Sequence, residues 1–176
     1  AYLSRDAGRT WRMIHKRQLL SNIHCRPAFH PKEADTIFAA GGWFGRLMVS
    51  RDGGETWSEI GNLRDGLTGE IAIDPHRPEF MLAGVGKEVW RSDDAGNNWT
   101  RCHGPTGAVV AFCFGQVGAA GRRAIFAATR EGIWRSEDDG RNWANKTTGL
   151  PWKGIRGFAG GFDRKHKLAM LYCAVP

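Results

Sequence analysis

The eight residues Ser50-Arg-Asp-Gly-Gly-Glu-Thr-Trp57 decide the fold of this chain. Serine and aspartate side chains form hydrogen bonds with nearby backbone N–H groups and so close tight turns. Gly54 fits a backbone position with positive φ, where a Cβ atom would clash. Trp57 is expected to bury its ring between neighbouring elements and to hold the turn in place. This octapeptide, called the box below, therefore predicts a tight hairpin turn.

The box occurs four times in the 176 residues, with the pattern S-x-D-x-G-x-[TN]-W. Successive boxes begin 46, 42 and 44 residues apart, which indicates a regular repeat rather than chance. We assign the fixed positions to the scaffold. They are Ser4, Asp6, Gly8 and Trp11; Ser50, Asp52, Gly54 and Trp57; Ser92, Asp94, Gly96 and Trp99; and Ser136, Asp138, Gly140 and Trp143.

Short apolar segments surround each box. Before the third box, for example, lie 70–73, 80–83 and 89–90, with glycine-containing turns between them. Four short strands in a unit of about 44 residues are typical of a β-propeller blade. The sequence therefore predicts an all-β propeller of four-stranded blades. We expect blade ends near 1–20, 21–64, 65–106 and 107–150, and a partial blade over 151–176.

The register of the chain leaves two arrangements open. The chain opens at what is expected to be the third strand of a blade, and 168–176 resembles a second strand. In the first arrangement the chain is a segment of a larger propeller of roughly six to eight blades, closed by further blades or another copy. In the second, 168–175 lies beside Tyr2 and closes a small four-bladed ring. We favour the segment.

The four boxes resemble those of the Asp-box (BNR) repeat propellers. That group includes sialidases, xyloglucan-type glycoside hydrolases, sortilin-type receptor domains and photosystem II assembly propellers. The stretch 71–99 is similar to blades of the last three kinds, and the resemblance covers nearly the whole chain. It implies the propeller fold but not an activity, because function lies in sites placed on a fold.

The charge and composition of the chain limit the kinds of binding partner that we expect. The net charge of +7 favours acidic protein faces or anionic glycans. Nucleic acid is not expected, since no nucleic-acid recognition motif accompanies the scattered basic residues. No apolar run approaches the roughly 18 residues of a membrane-spanning helix. The first eleven residues are polar and belong to a box, so no signal peptide is predicted there. The six histidines are widely spread, and neither a metal nor a cofactor is predicted.

The resemblance implies that ligands bind on the side of the propeller opposite the boxes. The loops there join the fourth strand to the next blade and the second strand to the third. The charged and aromatic residues that we expect around one opening on this side are His24, Arg26, Trp43, Glu70 and Arg156. The alternative is that Arg26 and Glu70, from neighbouring blades, simply pair with each other across the channel mouth.

Two functions follow from this set. The first is a non-catalytic binding module that presents a face to a protein or glycan, because the boxes are scaffold and no complete catalytic set is visible. The second is a fragment of a glycoside hydrolase, xyloglucanase-like or sialidase-like, with catalytic residues partly outside this chain. Glycoside hydrolysis needs two carboxylates roughly 5–10 Å apart. Glu70 is the best placed single candidate, and Asp65 and Glu131 are possible companions on loops.

Overall fold

The structure, a computed structural model, describes residues 2–13, 26–41, 45–63, 67–118, 121–151, 154–163, 165 and 168–175. All regular elements among these residues are strands, which confirms the all-β prediction. They form three four-stranded antiparallel sheets, the blades, and a two-stranded sheet near each end of the chain. His24, Trp43 and Asp65 lie outside the described residues.

The three complete blades repeat one topology, in which each strand pairs with the next along the chain. Blade A contains β3 (Ala28–Phe29), β4 (Ile37–Gly41), β5 (Arg46–Ser50) and β6 (Ser58–Glu59). Blade B contains β7 (Leu67–Ile73), β8 (Met81–Val85), β9 (Glu88–Ser92) and β10 (Thr100–Arg101). Blade C contains β11 (Val109–Val117), β12 (Arg122–Thr129), β13 (Gly132–Ser136) and β14 (Ala144–Asn145).

The two end sheets are halves of a blade. The N-terminal half-blade contains β1 (Tyr2–Leu3) and β2 (Arg12–Met13), joined by the first box. The C-terminal half-blade contains β15 (Gly157–Asp163) and β16 (Leu168–Ala174), which pair along their whole length. By position the first sheet supplies the third and fourth strands of a blade, and the second sheet supplies the first and second.

The first strands of successive blades stand side by side, so that β7 contacts β3 on one side and β11 on the other, and β11 contacts β15. Because the blades repeat one topology, these strands begin at the same side of the arc, here called the entry face. The boxes join the third and fourth strands at the opposite side, here called the box face. Arg26 and Arg156, which come just before first strands, therefore lie toward the entry face, opposite the boxes.

The apolar core lies between the blades. Phe38 and Leu47 of blade A pack with Met81 and Trp99 of blade B. A second cluster joins blades B and C, and a third packs blade C against the C-terminal half-blade. Each blade therefore depends on its neighbour for burial, which is the packing of a propeller.

The arc is open, which rules out one of the two arrangements and corrects one expectation. β1 pairs with β2 and β16 pairs with β15, in separate sheets, so the small four-bladed ring is not formed. Trp11 was expected to bury its ring like the other box tryptophans, but its side chain is 64% exposed. The reason is that the first and second strands of its blade, and the preceding blade, do not flank it within this arc.

Candidate functional site

The boxes form a repeated hydrogen-bonded turn. In blade B the Ser92 hydroxyl donates to Asp94 Oδ1 at 2.8 Å and accepts from the Gly96 N–H at 3.0 Å. Asp94 in turn accepts from the backbone and side-chain N–H groups of Asn98, at 2.8 and 2.7 Å. The Trp99 indole closes the turn by donating to the Gly96 carbonyl at 2.9 Å. All of these bonds are local, which is why eight residues suffice to specify the turn.

The same serine-to-aspartate and glycine-to-serine bonds recur in the other three boxes. The box glycines all have positive φ, between 77° and 93°, as predicted. The residue before that glycine, which has no fixed identity in the repeat pattern, is also left-handed. At Ala7, Ala95 and Asp139 this places a side chain at φ values of 55–58°. The threonine or asparagine at the seventh position of the pattern has a role that the sequence did not indicate, since its side chain donates a hydrogen bond to the box aspartate.

These contacts keep the box carboxylates ionised. Hydrogen bonds from the Thr10 side chain and backbone and from Ser4 lower the pKa of Asp6 to about 2. The matching bonds from Thr56 and Ser50 lower the pKa of Asp52 well below its ordinary value. Each box aspartate is thus occupied in its own turn, in agreement with a scaffold role.

Glu70 is the most constrained of the candidate site residues. It lies in the middle of β7, and its Oε2 accepts a hydrogen bond from the Phe112 N–H of blade C at 3.0 Å. Burial raises the pKa of Glu70, while the Phe112 hydrogen bond and the positive charge of Arg26 act in the opposite direction. The Glu70 carboxylate therefore links blades B and C by a hydrogen bond, and it interacts electrostatically with Arg26, which leads into blade A.

The two candidate arginines differ from Glu70 in burial. Arg26 comes shortly before β3, and Arg156 directly precedes β15, where its N–H donates to the Ala174 carbonyl at 2.9 Å. Both side chains are exposed. Arg26 and Glu70 come from adjacent blades and interact electrostatically, whereas Arg156 belongs to the half-blade beyond blade C. All three belong to first strands or to the segments that lead into them.

A second polar site, not predicted from the sequence, lies between blades B and C on the box face. Asp74 caps the loop after β7 and accepts hydrogen bonds from the His76 and Arg77 N–H groups at 2.8 and 3.1 Å. Its carboxylate also pairs with Arg123 of blade C. A second pair joins the same two blades: Arg77 of blade B pairs with Asp139 of the fourth box, in blade C, at 2.8 Å.

An aromatic ring supports this network. The guanidinium groups of Arg77, Arg91 and Arg123 lie 5.1, 5.7 and 5.2 Å from the centre of the Phe80 ring, within cation–π range. A cleft of about 340 Å³ opens beside it, lined by Asp74, His76, Phe114, Gln116 and Arg123 among others. Because Arg77 and Arg123 both pair with carboxylates, the cluster locks blades B and C together.

The described residues contain no group of three or more histidine, cysteine, aspartate or glutamate side chains placed to hold a metal ion. No helix with the length and apolar character needed to cross a membrane occurs in the described part of the chain.

Comparison with known proteins identifies the repeat. Residues 48–59, which hold the second box, match the family model described as BNR/Asp-box repeat. No curated protein matches the chain. Among solved structures, the chain is similar to the GH74 xyloglucanase from Xanthomonas campestris, with a TM-score of 0.60 and 23% identity over 81% of this chain and 26% of that one.

Two further structures show the same fold. A GH74 enzyme from Niastella koreensis matches with a TM-score of 0.56 and 20% identity, over 73% of this chain and 23% of that one. YCF48 bound to D1 peptide matches with a TM-score of 0.54 and 19% identity, over 91% and 51%. The chain thus spans between about a quarter and a half of these proteins. The motif and the fold agree: the chain is built of BNR/Asp-box repeats that form blades of a β-propeller.

Proposed function

We propose that this chain is a non-catalytic binding module whose entry face takes an acidic protein or glycan. The observation that carries the proposal is a difference in burial: Glu70 is largely buried, whereas Arg26 and Arg156 are exposed. The Glu70 carboxylate is engaged by the Phe112 N–H and faces the charge of Arg26. The Arg26 and Arg156 side chains are exposed to solvent and can be reached by a ligand.

Exposed guanidinium groups suit such ligands. Arginine offers a planar set of donors that grips carboxylate or phosphate groups in pairs of hydrogen bonds. The net charge of +7 adds a longer-range attraction for acidic partners. His24 and Trp43 complete the proposed set, with Trp43 as an aromatic platform for a sugar or a side chain. YCF48, which shares the fold, has a peptide bound to it, and this supports a protein partner.

The test is a screen of glycans, acidic peptides and acidic polymers against the parent protein and an Arg26→Ala, Arg156→Ala double variant. We expect the double variant to lose at least tenfold in affinity for the ligand that the parent binds, a loss of about 1.4 kcal/mol. The matched control is Arg9→Ala, Arg51→Ala, which removes the same charge from two exposed box arginines. Equal binding by all three folded proteins would reject the entry face as the site.

A glycoside hydrolase fragment is the second candidate, and one observation favours it. Burial raises the pKa of Glu70, which is the direction required of a general acid. Hydrolysis of xyloglucan oligosaccharides or sialosides by the parent, abolished in Glu70→Gln with the fold intact, would establish this function instead. We expect no turnover by either protein.

A further inference from the structure

Blade C carries a longer first hairpin than blades A and B. In blades A and B the first two strands separate after the pair whose second-strand residue also pairs with the box serine. In blade C that pair is Phe114 with Ile125, and three further pairs follow it, as far as Val117 with Arg122. The extra pairs place a wall on the box face, beside the turn that follows β7.

This wall and the turn of blade B enclose the cleft of about 340 Å³. The hairpin contributes Gln116 and Arg123, which are directly opposite each other in the register and so point to the same side of the sheet. Blade B contributes Asp74 and His76, and Phe114 contributes an aromatic ring. The cleft thus lies between two complete blades, away from both ends of the arc.

The aromatic surface of the cleft is held in place from behind. The Phe114 ring packs against the Phe80 ring in an edge-to-face contact, with centroids 6.2 Å apart and planes at 78°. Phe80 is 1% exposed, whereas Phe114 is only half-buried. A ring fixed in this way offers an apolar surface to the C–H groups of a ligand.

The charged groups of the cleft neutralise each other. Asp74 is 2% exposed and pairs with Arg123. The Arg123 Nε atom also lies 3.6 Å from Asp139 Oδ1. A ligand carboxylate at Arg123 would become the third carboxylate around one guanidinium group, and like charges this close together repel. The cleft is therefore better suited to an uncharged ligand than to an anion.

The polar groups of the cleft are planar and include both donors and acceptors. The Gln116 amide has one acceptor oxygen and two N–H donors, and the His76 imidazole can donate and accept. Both residues are exposed. Arg123 adds guanidinium N–H donors. Adjacent hydroxyl groups of a sugar each donate and accept hydrogen bonds, whereas its C–H groups form an apolar face, so a sugar matches both parts of the cleft.

We propose that this cleft binds an uncharged sugar. One pyranose ring lies on Phe114, and its hydroxyl groups form hydrogen bonds with Gln116, His76 and Arg123. The volume of about 340 Å³ is at the lower end of small-molecule sites, roughly 300–1,000 Å³, which suits a single sugar unit. The site lies on the box face and takes a neutral ligand, so it is separate from the binding function of the entry face and does not depend on it.

The first test is saturation-transfer difference NMR with the methyl glycosides of glucose, galactose, mannose and xylose. The uronic acids of the first three sugars are the charged counterparts. We expect at least one neutral glycoside to bind, and a uronic acid to bind about tenfold more weakly than its neutral counterpart, because like charges placed together oppose binding. Binding of no neutral glycoside would overturn the proposal, and so would a uronic acid that binds as well as its neutral counterpart.

The second test locates the bound sugar. Gln116→Ala and His76→Ala each remove one exposed hydrogen-bonding group of the cleft, and each should weaken binding of the glycoside about three- to tenfold. The matched control is His103→Ala, which removes an exposed histidine outside the cleft and should leave binding unchanged. The Arg26→Ala, Arg156→Ala double variant should also bind the glycoside as the parent does.

Circular dichroism and thermal melting establish that each variant is folded. Weaker binding in either cleft variant, with His103→Ala unchanged, would support the proposal. Unchanged binding in both cleft variants would overturn it, as would an equal loss in His103→Ala. Loss of glycoside binding in the double arginine variant alone would place the sugar on the entry face and would overturn it as well.

Discussion

Blade B and the N-terminal half-blade carry the same box in different surroundings. Both boxes make the same serine and aspartate hydrogen bonds, at nearly the same distances. The Trp99 ring is 4% exposed, whereas the Trp11 ring is 64% exposed. The comparison shows that the turn is a local structure, formed wherever its eight residues occur. The stability that the tryptophan contributes depends on the neighbouring blade.

The tryptophans should show the largest difference between the two regions. Trp99→Ala removes a ring packed against blade A and should lower the free energy of unfolding by about 3–5 kcal/mol. Trp11→Ala removes a mostly exposed ring and should cost less than about 1 kcal/mol. Urea unfolding of the two variants and of the parent protein measures both losses. Equal losses would mean that Trp11 is buried and that the arc is not open.

The ion pairs between blades should also differ in stability, with the buried pair contributing more than the exposed pair. Asp74 is 2% exposed and pairs with Arg123, whereas Asp35 pairs with Arg5 at 3.0 Å between two exposed side chains. Asp74→Ala should cost about 2–3 kcal/mol, because it removes the buried carboxylate that pairs with Arg123 and leaves two loop N–H groups without their acceptor. Asp35→Ala should change stability by less than about 1 kcal/mol. Urea unfolding of the two variants measures both changes in stability. A large loss of stability in Asp35→Ala would contradict the account.

The box serines offer a smaller contrast. Ser92→Ala leaves the buried Gly96 N–H without its acceptor and should cost about 1–2 kcal/mol. Ser4→Ala exposes the Gly8 N–H to water, which replaces the hydroxyl, so only a few tenths of a kcal/mol should be lost. Thermal melting of the two variants is the measurement. If Ser4→Ala proved the more damaging, the N-terminal box would have to be packed against something that this arc does not include.

Glu70 predicts a pH dependence that the box aspartates do not share. Burial raises the pKa of Glu70 in the folded protein, so folding favours its protonated form. Its contribution to stability is therefore fully present below the unfolded pKa, near 4.5, and declines as the pH rises through the folded value. Glu70→Gln keeps an acceptor for the Phe112 N–H but does not titrate. Its stability relative to the parent should rise between pH 4 and pH 7, and a constant difference would contradict the assignment.

Whether a contact could be predicted from the sequence depends on how far apart its residues lie along the chain. The box turn and the Asp74 cap were predictable because both close within four residues along the chain. The exposure of Trp11, the Glu70–Phe112 hydrogen bond and the Asp74–Arg123 pair were not. Each of these depends on which blade stands beside which, and repeat spacing alone does not show that. The grouping of His24, Trp43 and Arg156 around one opening stays a prediction.

Amide hydrogen exchange of the parent protein tests the central claim, that neighbouring blades and not the box itself stabilise each repeat. The account predicts slow exchange, close to that of global unfolding, for the amides of Gly96 and Gly140, whose N–H groups are bonded and buried. The amide of Gly8, bonded in the same way but exposed, should exchange orders of magnitude faster. Equal protection of all three would contradict the account, because it would show that the box alone holds each turn closed.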